Sequence, residues 1–268
     1  MVSSLYQAKD NDMLLSMPIP TSRILLVRLS GVYAMGLMYE LIDMLNCGLG
    51  VILMPVFAAV LVWKADLVQK FILLPAIQEC IPLLAVATIC LLMTMNDMAA
   101  PSISMEGKNL WIVQSPPVSG KQVLLSKLKL PLLLTWISAI PLVIVVEWLI
   151  KPSLLNGILI PAVACFYAVL ITEIGLVLNL KMPNLHWTSE IIPLKQSAPV
   201  TIALLGGWLI IVALAGIYIL LRNVVSVTAF GILLCTVLLI AAGWLYHWLT
   251  KIFLMRLRWM LCMNMPSR

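Results

Sequence analysis

The stretch LPLLLTWISAIPLVIVVEWLI, residues 130–150, decides the fold. Glu147 is its one charged side chain. At a rise of about 1.5 Å per residue, a helix of this length spans the roughly 30 Å hydrocarbon core of a bilayer. Lipid offers the backbone no hydrogen-bond partner, so such a run must be a helix. Three further runs follow the same pattern, at residues 154–180, 198–221 and 227–249.

The composition extends this interpretation to the whole chain. Of its 268 residues, 63% are hydrophobic and only 10% are charged, with a mean hydropathy of +1.09. Soluble domains carry about 25% charged residues. We therefore expect an all-α, polytopic transmembrane bundle of about six or seven hydrophobic helices.

The first half of the chain is less regular. Its apolar runs are residues 24–46, 51–63 and 71–96, and the last contains Pro75 and Pro82. The middle run is short for a span. If the polar segments on both sides of this region are cytosolic, the chain must cross the membrane an even number of times between them. That requires either that residues 51–63 do not cross, which we favour, or that one run forms two half-spans. Residues 30–100 are thus predicted to form a first membrane segment of two to four spans.

Charge predicts the sidedness. Lys and Arg collect on cytoplasmic loops. Here, polar segments with several basic residues alternate with segments that contain only one. We therefore expect residues 101–129, 181–197 and the tail 251–268 to be cytoplasmic, on either side of the four-span segment 130–250. The net charge of +6 is explained by this orientation, so we expect a lipid bilayer and no nucleic acid as partner.

Two polar segments repeat at a spacing of 99 residues. One lies in the N-terminal region 1–29, and the other lies within residues 101–129. An ordinary interfacial entry helix, with Trp111 at headgroup depth and Lys127 snorkelling, would also give this pattern. The matched pairs are Lys9 with Lys108, Ser16 with Ser115, Pro18 with Pro117, and Ile19 with Val118.

Both copies resemble a known loop. The sequences AKDNDMLLSMPIPTSRILLVRL (8–29) and MEGKNLWIVQSPPVSGK (105–121) are similar to the coupling-helix loop of ATP-binding-cassette type 2 export permeases. The second copy is closer to a bacterial branch with duplicated halves, which the chain also resembles at 95–96, 181–190 and 195–197. The resemblance covers most of residues 5–47 and 90–220.

The resemblance implies a function and a set of contacts. In that family the loop follows the second span of a six-span unit, four spans come after it, and it docks on a separate cytosolic ATPase. It therefore implies the membrane-spanning permease subunit of an exporter in a bacterial inner membrane, with ATP bound by the partner and a second copy or second permease beside it. The residues implied for docking are Lys108, Trp111, Ser115, Pro117 and Val118, with Lys9, Ser16, Pro18 and Ile19 in the first copy.

The chain departs from that family in length. No two spans precede Lys9, and the roughly seventy residues between the loops cannot hold six helices of about 20 residues. This predicts a shortened relative. The alternative is a degenerate half-permease that does not transport and acts as a membrane scaffold or modulator.

We expect no enzymatic site or cofactor in this chain. The pairs Gly107-Lys108 and Gly120-Lys121 lack the preceding glycine and the following Ser or Thr of a phosphate-binding loop. The six cysteines form no CxxC pair and predict no metal site. Ionisable residues within apolar runs are functional candidates by default. Glu40 and Asp43, three apart on one helical face, and Glu173, beside Thr172, are the candidates for a polar pathway.

Overall fold

The computed structural model describes residues 49–74, 78–105, 120–184 and 197–264. Within these ranges the chain forms α-helices and one 3-10 helix, with no strand, which confirms the predicted all-α bundle. The seven helices are α1 (Leu49–Trp63), α2 (Ala65–Ile72), α3 (Ile81–Thr94), α4 (Gly120–Ile150), α5 (Leu154–Lys181), α6 (Ala198–Leu221) and α7 (Val227–Asn264), and the 3-10 helix is Gln78–Cys80.

The four long helices α4 to α7 are each long and apolar enough to cross a membrane. Their outward surfaces carry large apolar side chains, such as Ile140 on α4 at 55% exposure and Leu209 on α6 at 70%. A water-facing surface rarely shows such continuous apolar area. The protein is therefore a membrane protein, and these surfaces face lipid.

Most of the predicted boundaries of these helices agree with the structure. Two differ: α4 begins at Gly120 rather than at Leu130, and α7 continues past Leu249 to Asn264. With 31 and 38 residues, these helices reach about 46 Å and about 57 Å at 1.5 Å per residue. Both are longer than the roughly 30 Å apolar core, so each continues beyond one membrane face.

The helices before the central segment are short. The 15-residue α1 would reach only about 22 Å, and α2 leaves it at 81°. Such a bent pair is either a broken span or a re-entrant loop. The predicted run 71–96 is divided, because α2 ends at Ile72 and α3 begins at Ile81 with Pro82 in its first turn. Residues 1–48 and 75–77 lie outside the described ranges, so the number of crossings stays a prediction.

Helix α5 lies at the centre of the described bundle and packs against α3, α4, α6 and α7. Small residues allow these close contacts. Gly175 of α5 faces Ala100, and Gly207 of α6 lies against Thr94 and Ile171. Helix α1 packs on α3 and α4, where Gly50 meets the backbone of Asn96. The central helix is thus held by four neighbouring helices, while residues such as Cys165 remain exposed.

The core consists of two apolar clusters. The larger includes Ile89, Leu142 and Tyr167, and the smaller joins Ile103, Leu124, Leu128, Leu176, Leu180 and Leu249. The smaller cluster brings the start of α4 and the ends of α5 and α7 to one end of the bundle. We call this the basic end, because Lys127, Lys129, Lys181 and Lys251 lie on these same helix turns.

Candidate functional site

A layer of polar residues lies where the two apolar clusters meet. Along α5, Thr172 and Glu173 separate Ile171 of the larger cluster from Leu176 of the smaller. Along α3 and the segment after it, the polar residues likewise come between Met93 and Ile103. We call this set the polar layer: Thr94, Asn96, Asp97, Thr135, Thr172 and Glu173.

The polar layer forms where α3 stops. Helix α3 ends at Thr94, and residues 95–105 continue as turns and a short 3-10 turn, inside the protein rather than on its surface. Ala100 is fully buried, and Ala99 and Ile103 are 2% exposed. An irregular backbone of this kind is tolerated in a membrane protein only where protein or a water-filled cavity satisfies its polar groups. Side chains from two long helices supply those partners.

Asn96 connects this segment to α4. Its Nδ2 donates a hydrogen bond to Thr135 Oγ1, and that hydroxyl donates to the Pro131 carbonyl at 2.8 Å. Asn96 is 7% exposed and Thr135 is 2% exposed. The Asn96 Oδ1 atom is enclosed and has no hydrogen-bond partner among the described residues.

Asn179 connects the same segment to α5. Its side chain is fully buried. The amide Nδ2 donates to the Ala100 carbonyl, and Oδ1 accepts from Ser104 Oγ at 2.6 Å. The Asn184 backbone N–H in turn donates to Ser104 Oγ at 3.1 Å. A single amide thus satisfies both an irregular backbone carbonyl and a buried hydroxyl, as buried polar groups require.

Lys127 is the third residue that connects this segment to a long helix. From α4 its Nζ donates to the Ser102 carbonyl at 3.0 Å. This bond crosses from the segment that precedes residues 106–119 to the helix that follows them. The two flanks of the predicted docking loop are therefore held together, although residues 106–119 lie outside the described ranges.

Asp97 points toward α5. Its Oδ1 lies 3.3 Å from where a Cβ would stand on Gly175, so glycine there leaves room for the carboxyl. The residue as a whole is half-buried, whereas Oδ2 is enclosed and has no described hydrogen-bond partner. Burial raises the pKa of the Asp97 carboxyl to about 8.

Glu173 is the one predicted pathway residue that the described ranges contain. It is 3% exposed, and its Oε2 is enclosed without a described hydrogen-bond partner. A buried carboxyl in a transmembrane helix is a functional candidate, and the place of Glu173 in a polar pathway stays a prediction. Glu40 and Asp43 fall outside the described residues. So do all nine predicted docking residues: Lys9, Ser16, Pro18, Ile19, Lys108, Trp111, Ser115, Pro117 and Val118.

The sequence interpretation did not select Asp97, Thr135 or Asn179. Asn179 carried a usable signal, since an amide within an otherwise apolar helical run must find a partner in the protein. Thr135 carried a weaker one, because a threonine can bond its own helix backbone. Nothing in the sequence places Asp97 beside Gly175, because that contact depends on the path of the chain after α3.

A small apolar cleft lies within the described part of the bundle. The cleft, of about 30 Å³, lies between α3, α5, α6 and α7, lined by residues such as Cys90, Tyr167 and Phe230. That volume suits about one or two water molecules and is far below the several hundred Å³ of an organic-ligand pocket. Among the described residues, no group of three or more His, Cys, Asp or Glu side chains could hold a metal ion.

Comparison with known proteins adds no family to this picture: no family model, curated protein or solved structure matches the chain.

Proposed function

We propose that this chain is the membrane-spanning subunit of an ATP-driven exporter, in which segment 106–119 receives the movement of a separate ATPase. The ATP would be bound and hydrolysed by that partner. The proposal also places the chain in a bacterial inner membrane, with residues 101–129 and the C-terminus in the cytoplasm and with a second copy or second permease completing the pathway.

One observation carries the proposal. Helix α4 begins at Gly120, immediately after segment 106–119, and continues without a break to Ile150. The helix is continuous through Pro131 and Pro141, so a displacement at its start would be carried into the span, and the two prolines are the points at which the helix can bend. The bond from Lys127 to the Ser102 carbonyl ties the preceding segment to this same helix. A push on the loop would therefore reach α4 and the polar layer together.

The arrangement of the long helices supports the same function. Four helices of sufficient length and apolarity follow segment 106–119, the number that the family resemblance implies after the coupling loop. The lysines of the basic end lie beside that segment's flanks. A basic surface at the end of the bundle agrees with a cytoplasmic position.

Co-purification tests this function. The tagged full-length protein, expressed in its own host and extracted in mild detergent, should retain an ATPase subunit. Trp111→Ala and Pro117→Ala should lose that subunit, because they change the proposed docking surface. Trp63→Ala and Pro152→Ala are the matched controls, at the ends of α1 and α4 away from the basic end, and should retain it. An absent ATPase, or equal retention by all four variants, would refute docking.

A second candidate function is a half-permease that does not transport and instead modulates a complete permease. The apolar cleft of about 30 Å³ favours it, because that cleft is too small for an organic substrate. Co-purification separates the two functions as well: a retained full-length permease in place of an ATPase would favour the modulator.

A further inference from the structure

One oxygen of the Asp97 carboxyl is closed off from solvent and from hydrogen-bond donors. Its Oδ2 is enclosed, with no hydrogen-bond partner among the described residues. The adjacent Asn96 Oδ1 is also enclosed and has no hydrogen-bond partner among the described residues. Both atoms are oxygens that can accept a hydrogen bond. A group that brings a hydrogen-bond donor or a positive charge would complete them, whereas an anion or a neutral acceptor would not.

The packing holds this carboxyl against α5. An added Cβ on Gly175 would lie 3.3 Å from Asp97 Oδ1 and 3.2 Å from the Ala100 backbone nitrogen. Any larger residue would crowd the carboxyl and the turn that follows it. Asn179 of the same helix holds the Ala100 carbonyl, so the turn that follows Asp97 is itself fixed to α5.

Charged side chains nearby are few. The described residues of α1 and α3 contain none, and Cys90 is the one titratable group on either helix. On α4, Lys127 reaches this segment and donates to the Ser102 carbonyl. The other charged residues on the helices packed here are Lys121, Lys129 and Glu147 of α4, and Glu173 and Lys181 of α5.

We propose that Asp97 is a proton-binding site of this protein. The carboxylate takes one proton from solvent at the basic end to give a neutral carboxyl that packs against Gly175. It releases that proton when residues 95–105 withdraw from α5. The ligand is the proton itself, and the site stands whether or not the protein is an exporter subunit.

The physical argument is desolvation. An unpaired carboxylate enclosed by protein is costly, and such groups bind a proton instead of staying charged. The raised pKa, about 8, agrees with this. Proton loss would put a charge between the segment and α5, so ionisation and withdrawal of residues 95–105 favour each other. Because this segment continues into residues 106–119, the proton state would reach whatever binds there.

Infrared titration of the purified full-length protein tests the site. A protonated carboxyl has a C=O stretching band that disappears on ionisation. We expect the spectrum of the wild type minus that of Asp97→Asn to contain one such band, with a midpoint near pH 8. Glu173→Gln is the matched control, a buried carboxyl replaced on α5, and should leave the Asp97 band in place.

Two results would overturn the proposal. One is a difference spectrum without a titrating carboxyl band, and the other is a midpoint near the ordinary aspartate value of about 3.9. A further variant tests the packing: Gly175→Ala should crowd the carboxyl out of its enclosure and lower the midpoint. An unchanged midpoint in Gly175→Ala would show that contact with α5 does not set the proton affinity.

Discussion

At the scale of single residues, Asn179 does the most to hold the polar site together. It satisfies the Ala100 carbonyl and the Ser104 hydroxyl, both in the irregular segment after α3. Lipid cannot replace these bonds. The stability of that segment should therefore depend on this one amide.

Substitution of Asn179 measures that dependence. Asn179→Leu keeps the approximate volume but removes the buried hydrogen bonds to the Ala100 carbonyl and the Ser104 hydroxyl, and the loss of a buried partner costs about 1–3 kcal/mol. We expect a clear fall in the thermal midpoint of unfolding in detergent. Thr236→Val is the control, because Thr236 is exposed on α7 and bonds only its own helix; it should change the midpoint little. Equal midpoints for both variants would contradict the role of Asn179.

Asp97 should make stability depend on pH. Its pKa is about 8 in the folded protein and about 3.9 when unfolded. Between these values the folded state binds more protons, so stability falls as pH rises. The contribution is complete below about pH 4 and is lost by about pH 8. Melting curves across this range should slope downward for the wild type and less steeply for Asp97→Asn; parallel slopes would contradict the assignment.

The sequence predicts some of these residues and not others. Glu173 is conspicuous as a charge within an apolar run, and the structure does bury it. Asn179 and Thr135 carry no charge, and each also occurs in helices without a special role. Their importance follows from the buried irregular segment, and that segment is visible only once α3 is known to stop at Thr94.

At the scale of elements, the sequence predicts where most of the long helices begin and end. Pro152 and Pro199 interrupt the apolar pattern beside α5 and α6, and Arg222 follows the end of α6. The early start of α4 was not predicted, because residues 120–129 mix lysines with leucines as a cytosolic loop would. The helix forms there since Leu124 and Leu128 are buried against α5 and α7.

The contact between α6 and its neighbours gives a prediction with an internal control. A Cβ on Gly207 would stand 2.6 Å from Thr94 Cγ2 and 2.9 Å from Ile171 Cδ1, whereas a Cβ on Gly206 meets nothing within 4 Å. Thr94 is fixed by its own bond to the Leu91 carbonyl at 2.6 Å. Gly207→Ala must therefore displace the Thr94 and Ile171 side chains or move α6 itself.

The two glycines are compared by thermal unfolding in detergent. Gly207→Ala should lower the midpoint, because overpacking a close contact costs about 1–3 kcal/mol. Gly206→Ala should leave the midpoint unchanged or raise it slightly, because alanine is the better helix former by up to about 1 kcal/mol. A fall of the same size in both variants would mean that the packing of α6 is wrong.

At the scale of the whole molecule, the chain combines a lipid-facing bundle with a polar layer near its basic end. Composition and the length of the apolar runs predicted the bundle, because the bilayer imposes both on any spanning helix. The same features constrain less strongly how many times residues 30–100 cross the membrane, because α1 and α3 are both shorter than a usual span. The coupling of a cytosolic motor to this bundle requires that this number be even.

The sidedness of the two repeated loops tests that requirement most directly. Single cysteines at Ser22 and Lys121, each in a protein without native cysteines, are exposed to an impermeant thiol reagent in sealed membrane vesicles of known orientation. A cysteine at Val224, which is 84% exposed between α6 and α7 at the opposite end, reports the other face. We expect Ser22 and Lys121 to be labelled from the cytoplasmic side and Val224 from the other. Labelling of Ser22 and Lys121 from opposite sides would contradict a chain that couples both loops to one cytosolic ATPase.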